Sequence, residues 1–284
     1  MIFNYAILNG KLLPVDQAQI SIFNKAIFSS FGVYETMKVE RGRPFYLQGH
    51  LLRLLNSAEM IDLELGVDTA TLTDWFERLI KVDPQATWVM RILALGVVEA
   101  SGADTLSAGP IIAMWPEVLP TYPHTFYRNG AAAILYEGQR AIPACKSLNA
   151  LINYLARRAA IRAGALEGLL HHEGHLTEGA RSNIFAVRQG QLITPPASDV
   201  LSGITRDVIF QVMQETAHPV VEVPIPVGVS LYEEFFISST SMHVMPITQI
   251  DGQPVGDGRV GPITKMVMAR FETHYRQTMD LTSS

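Results

Sequence analysis

Four short stretches carry residues whose types and spacing could do chemistry. Lys146 sits in Ala144-Cys145-Lys146-Ser147-Leu148-Asn149, between an apolar stretch and an amphipathic one. A lysine so placed has two readings. It can snorkel at the edge of a core, or it can be a partly desolvated amine able to form a Schiff base. Taken alone the first is the commoner, because lysines are mostly exposed. Leu176-Thr177-Glu178-Gly179-Ala180-Arg181-Ser182-Asn183 reads either as an ordinary loop or as a carboxylate, Glu178, held to meet a cationic group such as a pyridinium nitrogen. Leu201-Ser202-Gly203-Ile204-Thr205-Arg206-Asp207 is a glycine turn opening a helix, whose first N–H groups form an anion site suited to phosphate. Every helix has such an end, so this signal alone is weak. Ser238-Ser239-Thr240-Ser241 offers four hydroxyls, for an anion or for bonds within a turn.

Other candidates are poorer. His171-His172-Glu173-Gly174-His175 lacks the spacing of a helical zinc motif, and Glu-Gly suggests a turn. Cys145 is the one cysteine of 284 residues, which rules out an internal disulfide and Cys-rich zinc sites. A lone Cys is more often a small buried hydrophobe than a nucleophile. No Gly-x-Ser-x-Gly elbow or Walker loop occurs.

These stretches need a folded frame, and the composition supplies one. The chain is 48% hydrophobic and 17% charged, which excludes wholesale disorder. A net charge of −5 argues against a nucleic-acid partner. No apolar run is long enough for a membrane span, and the first residues do not read as a signal peptide; a cytoplasmic protein is expected.

Asn9-Gly10, Arg41-Gly42, Gln189-Gly190 and Asp251-Gly252 mark hairpins. Helical spacing predicts helices over Gly49–Ile61, over Thr71–Val82 with Thr71 or Thr73 at the N-cap, and over Asn149–Gly164 with Leu151, Tyr154, Leu155 and Ile161 as its apolar face. Further helices are expected from near Thr205 and over Pro262–Gln277. Thr87–Val98, Pro110–Trp115 and Ala131–Glu137 read as strands. Strands and helices mix without a βαβ rhythm, so the fold class is α+β in two domains: residues 1–115, a proline-rich linker 116–125, and a larger domain over 126–284.

Together, and in this order, the stretches resemble the class IV, fold-type IV pyridoxal-phosphate enzymes, which include branched-chain aminotransferase, D-amino acid aminotransferase and aminodeoxychorismate lyase. The likeness covers nearly the whole chain. It runs through Gly32-Val33-Tyr34-Glu35-Thr36, His50-Leu51-Leu52-Arg53-Leu54, Lys146-Ser147-Leu148-Asn149, Thr177 to Asn183, Leu201 to Arg206 and Gly261-Pro262-Ile263-Thr264.

The resemblance implies pyridoxal 5′-phosphate as cofactor. Lys146 would hold it covalently and shuttle the proton, and Glu178 would pair with the pyridine nitrogen. Arg53, the backbone of Ile204 and Thr205, and the Thr240 hydroxyl would hold the phosphate. Leu201 would pack on the ring. It also implies an amino acid and a 2-keto acid as substrates, and a homodimer. Tyr34, Thr36 and Lys38 alternate along one strand and share a face, which in the family lines the substrate pocket. Arg91 and Arg181 are candidates for a carboxylate, and Ser241 for a further substrate contact. The D-amino acid branch carries an arginine–histidine trap where this chain has Leu95 to Glu99. Leu151 replaces the branched-chain tyrosine, so that another group, Arg140 or none, would meet the cofactor's phenolic oxygen. The expected function is transamination of a small branched-chain L- or D-amino acid; the alternative is the lyase that releases pyruvate and 4-aminobenzoate.

Overall fold

The computed structural model describes residues 2–96 and 109–281. The chain falls into two compact units. The first comprises Met1–Pro120 with Cys145–Asn149, and the second Thr121–Ala144 with Ala150–Ser284.

The first unit is an antiparallel sheet with helices on one face. Its elements are β1 (Tyr5–Leu8), β2 (Lys11–Pro14), α1 (Ala26–Ser29), β3 (Gly32–Glu40), β4 (Arg43–Pro44), α2 (Leu47–Glu59), α3 (Thr69–Ile80), β5 (Trp88–Leu95) and β6 (Ile111–Glu117). The strand order is β2-β1-β6-β5-β3-β4. Asn9 and Gly10 both turn through positive φ, at 45° and 76°, which matches the twist of a two-residue hairpin. Alternation along β3 and β5 sends Val33, Met37, Trp88 and Met90 into a core with Leu51 and Phe76 of the helices.

Some expected boundaries move. The N-cap of α3 is Asp68, whose carboxylate accepts from the Thr71 N–H at 2.8 Å, rather than Thr71 or Thr73. A carboxylate three residues before an N–H makes the stronger cap, and the helix starts earlier to use it. Pro116 and Glu117 belong to β6, not to a linker. The end of the strand expected over Thr87–Val98, and the Val97 to Glu99 part of the missing trap, lie outside the described residues.

Proximity in sequence puts the Lys146 segment with the second domain; its hydrogen bonds place it with the first unit. The Tyr34 N–H donates to the Lys146 carbonyl at 3.0 Å, and the Leu148 N–H to the Gly32 carbonyl at 2.9 Å. Val33 and Ser147 form an isolated antiparallel bridge. These bonds extend the β3 ladder by a short piece of chain that is distant in sequence.

The second unit is a mixed sheet wrapped on itself. Its elements are α4 (His124–Asn129), β7 (Ala131–Glu137), α5 (Leu151–Arg162), β8 (Glu167–His172), β9 (His175–Gly179), β10 (Asn183–Arg188), β11 (Gln191–Thr194), α6 (Ile204–Met213), β12 (Val221–Glu222), β13 (Ile225–Pro226), β14 (Glu234–Ser239), β15 (His243–Ile250), β16 (Gln253–Pro254) and α7 (Pro262–Thr278). The run β10-β14-β15-β7-β8-β9 closes because β9 also pairs with β10, at Glu178 and Asn183. At the start of α7 the buried Glu234 carboxylate accepts from the N–H groups of Ile263 and Thr264, at 3.0 and 2.6 Å, satisfying donors that a helix leaves open.

The face of α5 is not the expected one. Leu151, Tyr154 and Ile161 are 64%, 58% and 61% exposed, and the buried side is Asn153, Ala156 and Ala160. Small side chains let this helix pack close to β8, where Leu170 and Ala180 meet Ala156. Periodicity alone favours large apolar residues as the inner face, and here close approach outweighs it.

Candidate active site

Each unit contributes a constellation of its own. In the first, Ser57 of α2 fixes the lysine segment. Its hydroxyl accepts from the Lys146 N–H at 3.1 Å, and its carbonyl accepts from Cys145 Sγ at 3.2 Å. The sole cysteine is therefore a buried hydrogen-bonded hydrophobe. Lys146 Nζ stands 4.5 Å from the centre of the Tyr34 ring. Tyr34, Thr36 and Lys38 lie on the face of β3 opposite the helices, as their spacing requires. Cross-strand pairing puts Arg91 of β5 beside Thr36 and Trp115 of β6 beside Arg91. Arg91 donates to Thr36 Oγ1 at 2.6 Å and to Glu117 at 2.8 Å, and Lys38 pairs with Glu40 at 3.1 Å.

Arg53, expected on an anionic cofactor, has one edge of its guanidinium on a protein carboxylate. Its Nε and Nη2 donate to the two oxygens of Glu35 at 2.7 and 2.9 Å. His50 Nδ1 lies 2.8 Å from the same carboxylate. All three residues belong to the motifs that carry the family resemblance, but only Arg53 stands out in the sequence as a site residue. Burial pushes the Glu35 carboxyl up, yet Arg53 and the bond from His50 outweigh it and hold Glu35 well below the usual carboxylate range. Burial pushes the His50 imidazole down from its ordinary value, so the ring is neutral and donates through Nδ1.

In the second unit Glu178 lies on β9, not on a loop, and is buried. Its Oε1 accepts from Arg140 Nε and, at 3.0 Å, from Asn153 Nδ2. Its Oε2 has the Leu201 N–H at 3.4 Å. Arg140, expected at a phenolic oxygen, is thus bound to Glu178. Asn153 escapes a sequence reading because an asparagine two residues inside a helix has no motif of its own.

Leu201 is buried ahead of α6, and Asn183 Nδ2 donates to its carbonyl at 2.8 Å. A Cβ on Gly203 would run into Asn183 Oδ1, so a larger residue at this N-cap would have to displace the Asn183 side chain. The cap has no side-chain hydrogen bond, leaving the N–H groups of Ile204 and Thr205 at the helix start without an intrahelical acceptor. Thr240 and Ser241 form the turn between β14 and β15. Tyr122 Oη lies 3.2 Å from Ser241 Oγ, and Tyr127 Oη donates to the Met242 carbonyl at 3.1 Å. Burial and the nearby Tyr122 and Glu272 push the Tyr127 phenol up to about 12. Ser238 Oγ is buried and has no hydrogen-bond partner among the described residues. Arg181, between β9 and β10, has a buried Nε with no hydrogen-bond partner there either. No group of three or more His, Cys, Asp and Glu among the described residues is placed to hold a metal, and His171, His172 and His175 lie in the β8–β9 hairpin.

The second unit thus holds a buried carboxylate and an uncapped helix start, and the first a lysine segment bonded to its sheet. The class IV amino-transferase family model matches residues 32–250. The chain is 32% identical over 272 residues to a D-alanine aminotransferase of Staphylococcus aureus, covering 94% of this chain and 96% of that protein. It is 32% identical over 275 residues to a putative branched-chain-amino-acid aminotransferase of Methanocaldococcus jannaschii, covering 93% and 94%. The Escherichia coli branched-chain amino acid aminotransferase superposes with a TM-score of 0.86 at 26% identity, over 95% of this chain and 94% of that one. The T.th. branched-chain amino acid aminotransferase with pyridoxamine 5′-phosphate gives 0.86 at 25%, over 97% and 94%. The chain belongs to the class IV aminotransferases, and its fold is fold-type IV.

Proposed function

We propose that Lys146 and Glu178 are the working pair of this enzyme. The protein is a pyridoxal-phosphate-dependent aminotransferase that moves an amino group between a small amino acid and a 2-keto acid. The relatives are named as transaminases, and no observation favours the lyase. When bound, pyridoxal phosphate supplies an electrophilic carbon and an electron-withdrawing ring. The donor set fits it. The uncapped start of α6, the orphaned Ser238 hydroxyl and Thr240 suit a phosphate, and Glu178 suits a cationic ring nitrogen.

The observation that carries the reading is the Glu178 carboxylate. Oε1 is held by two donors and Oε2 by a single long one, so Oε2 keeps acceptor capacity while the side chain cannot turn. Lys146 Nζ holds the cofactor and then carries the proton to and from the substrate Cα. Arg53, oriented by Glu35, adds to the phosphate donors, and Leu201 covers the ring. Tyr34, Thr36 and Lys38 line the substrate's path, with Arg91, Arg181 and Ser241 as further polar contacts. Borohydride reduction followed by peptide mapping tests the assignment. The label is expected on Lys146, and a label on another lysine, or none, sinks it.

We also propose a homodimer. Ile22, Phe23 and Phe28 are 77%, 84% and 84% exposed, three large apolar side chains in one segment that a second subunit would cover. Light scattering is expected to return twice the chain mass; a monomer at working concentration refutes it. No helix among the described residues is long and apolar enough to cross a membrane. A single buried thiol suits the reducing cytoplasm, and cell fractionation checks that location.

A further inference from the structure

In the second unit β14 and β15 are joined by the short turn Thr240-Ser241-Met242, which closes on the pair Ser239 and His243. His243 has a φ of 56°, in the left-handed region that glycine enters freely and other residues uncommonly. A histidine kept there needs contacts that offset the strain, and α7 supplies them. The imidazole lies 4.5 Å from the Tyr275 ring centre and 5.1 Å from that of Phe271. Its Nδ1 is 3.8 Å from Glu272 Oε2, and Glu272 Oε1 accepts from Arg276 Nε at 2.8 Å. His243 and Arg276 outweigh burial and hold the Glu272 carboxyl down at about 2, so it stays an anion beside the ring.

The rest of the turn is held as well. Tyr127 of α4 donates to the Met242 carbonyl at 3.1 Å, and Tyr122 Oη lies 3.2 Å from Ser241 Oγ. The Met242 N–H donates to Ser239 Oγ at 3.3 Å. Beside this fixed turn the buried Ser238 Oγ has no hydrogen-bond partner among the described residues. A buried hydroxyl so placed is one that a ligand can satisfy.

We propose that His243 is a positioning residue for the cofactor phosphate: anchored on α7, it fixes the turn that presents the Ser238 and Thr240 hydroxyls. The proposal rests on the reading of those two hydroxyls as phosphate donors. His243 acts through the turn. A hydroxyl bond depends on distance and angle, so a turn that wanders loses it. Short turns have several backbone forms of similar energy, and the anchors on α7, Tyr122 and Tyr127 leave this one a single form. The ordering cost is then met when the chain folds and not when phosphate binds, which raises affinity without a new contact.

Pyridoxal phosphate and pyridoxal differ only in the phosphate, so the pair isolates this subsite. The full-length protein is freed of cofactor, and the affinity for each is read from absorbance during titration. His243→Gly accepts the left-handed backbone without strain but loses the anchor. It is expected to bind pyridoxal phosphate about tenfold more weakly, and pyridoxal within about twofold of wild type. A role in backbone conformation alone gives the opposite result, with glycine as good as histidine. In a Thr240→Ala background the same change should cost less, because one of the presented hydroxyls is already gone. Should H243G fold poorly, Glu272→Gln, at a side chain 47% exposed, is expected to weaken pyridoxal phosphate alone by about threefold. Unchanged pyridoxal phosphate affinity in the folded variant, an equal loss for pyridoxal, or full additivity with T240A overturns the proposal. Failure of the underlying reading looks different: neither Ser238→Ala nor T240A by itself weakens pyridoxal phosphate binding.

Discussion

Replacing Lys146 with alanine is expected to lower turnover by roughly 10²–10⁴-fold, the span attached to a lost general acid–base group. The fold should survive the change. The bonds that stitch this segment into the first unit run through the Lys146 N–H and C=O, which alanine retains. The contact with the Tyr34 ring that the side chain gives up is worth about 0.5–1 kcal/mol. A small primary amine added to the K146A enzyme should restore part of the rate, because it can enter the space of the lost side chain and carry the proton. Stopped-flow absorbance with the best substrate measures both effects. Turnover within a few-fold of wild type, in a folded variant, would remove Lys146 from the chemistry.

The second large effect concerns stability. Glu35 is completely buried with Arg53 and His50 around it. Glu35→Gln removes the charge that compensates Arg53, and the expected cost is about 3–5 kcal/mol, the usual result of breaking one side of a buried pair. The pH dependence follows from the same cluster. Glu35 has its folded-state value depressed, so its contribution is complete above the ordinary carboxylate value of 4.5 and is lost as pH falls toward the folded value. His50 is also depressed, from 6.5, so the unfolded chain takes up a proton that the folded one refuses. Both effects have the same sign: wild-type stability should fall on acidification, first below 6.5 through His50 and then below 4.5 through Glu35. Urea midpoints across this range measure it. A midpoint flat with pH, or an E35Q protein as stable as wild type, would show that the cluster contributes no such energy.

Much of this is legible in the sequence, and the failures have physical causes. Hairpins at Asn9-Gly10 and Gln189-Gly190 are readable because few residues tolerate those turns. The strand alternation of Tyr34, Thr36 and Lys38 is readable because a two-residue period leaves one choice of face. The inner face of α5 is misread because its close packing on β8 favours alanine over leucine, which periodicity cannot weigh. Partners are harder than positions. Arg53 and Arg140 both stand out as cationic groups at the site, but sequence does not say that carboxylates at 35 and 178 hold them. Proximity in sequence assigns Cys145–Asn149 to the second domain, whereas its ladder of bonds to β3 spans more than a hundred positions.

That segment has a consequence for how such a gene can change. The polypeptide leaves the first unit after Pro120, returns at Cys145 and leaves again after Asn149. Neither unit is one continuous stretch of coding sequence. A recombination event that exchanged everything after the proline-rich region would import a foreign lysine segment, and that segment would have to find Ser57 and the edge of β3 already complementary to it. The two units are therefore tied in inheritance: β3 and the Cys145–Asn149 segment bonded to it come from different gene fragments only if both were selected together.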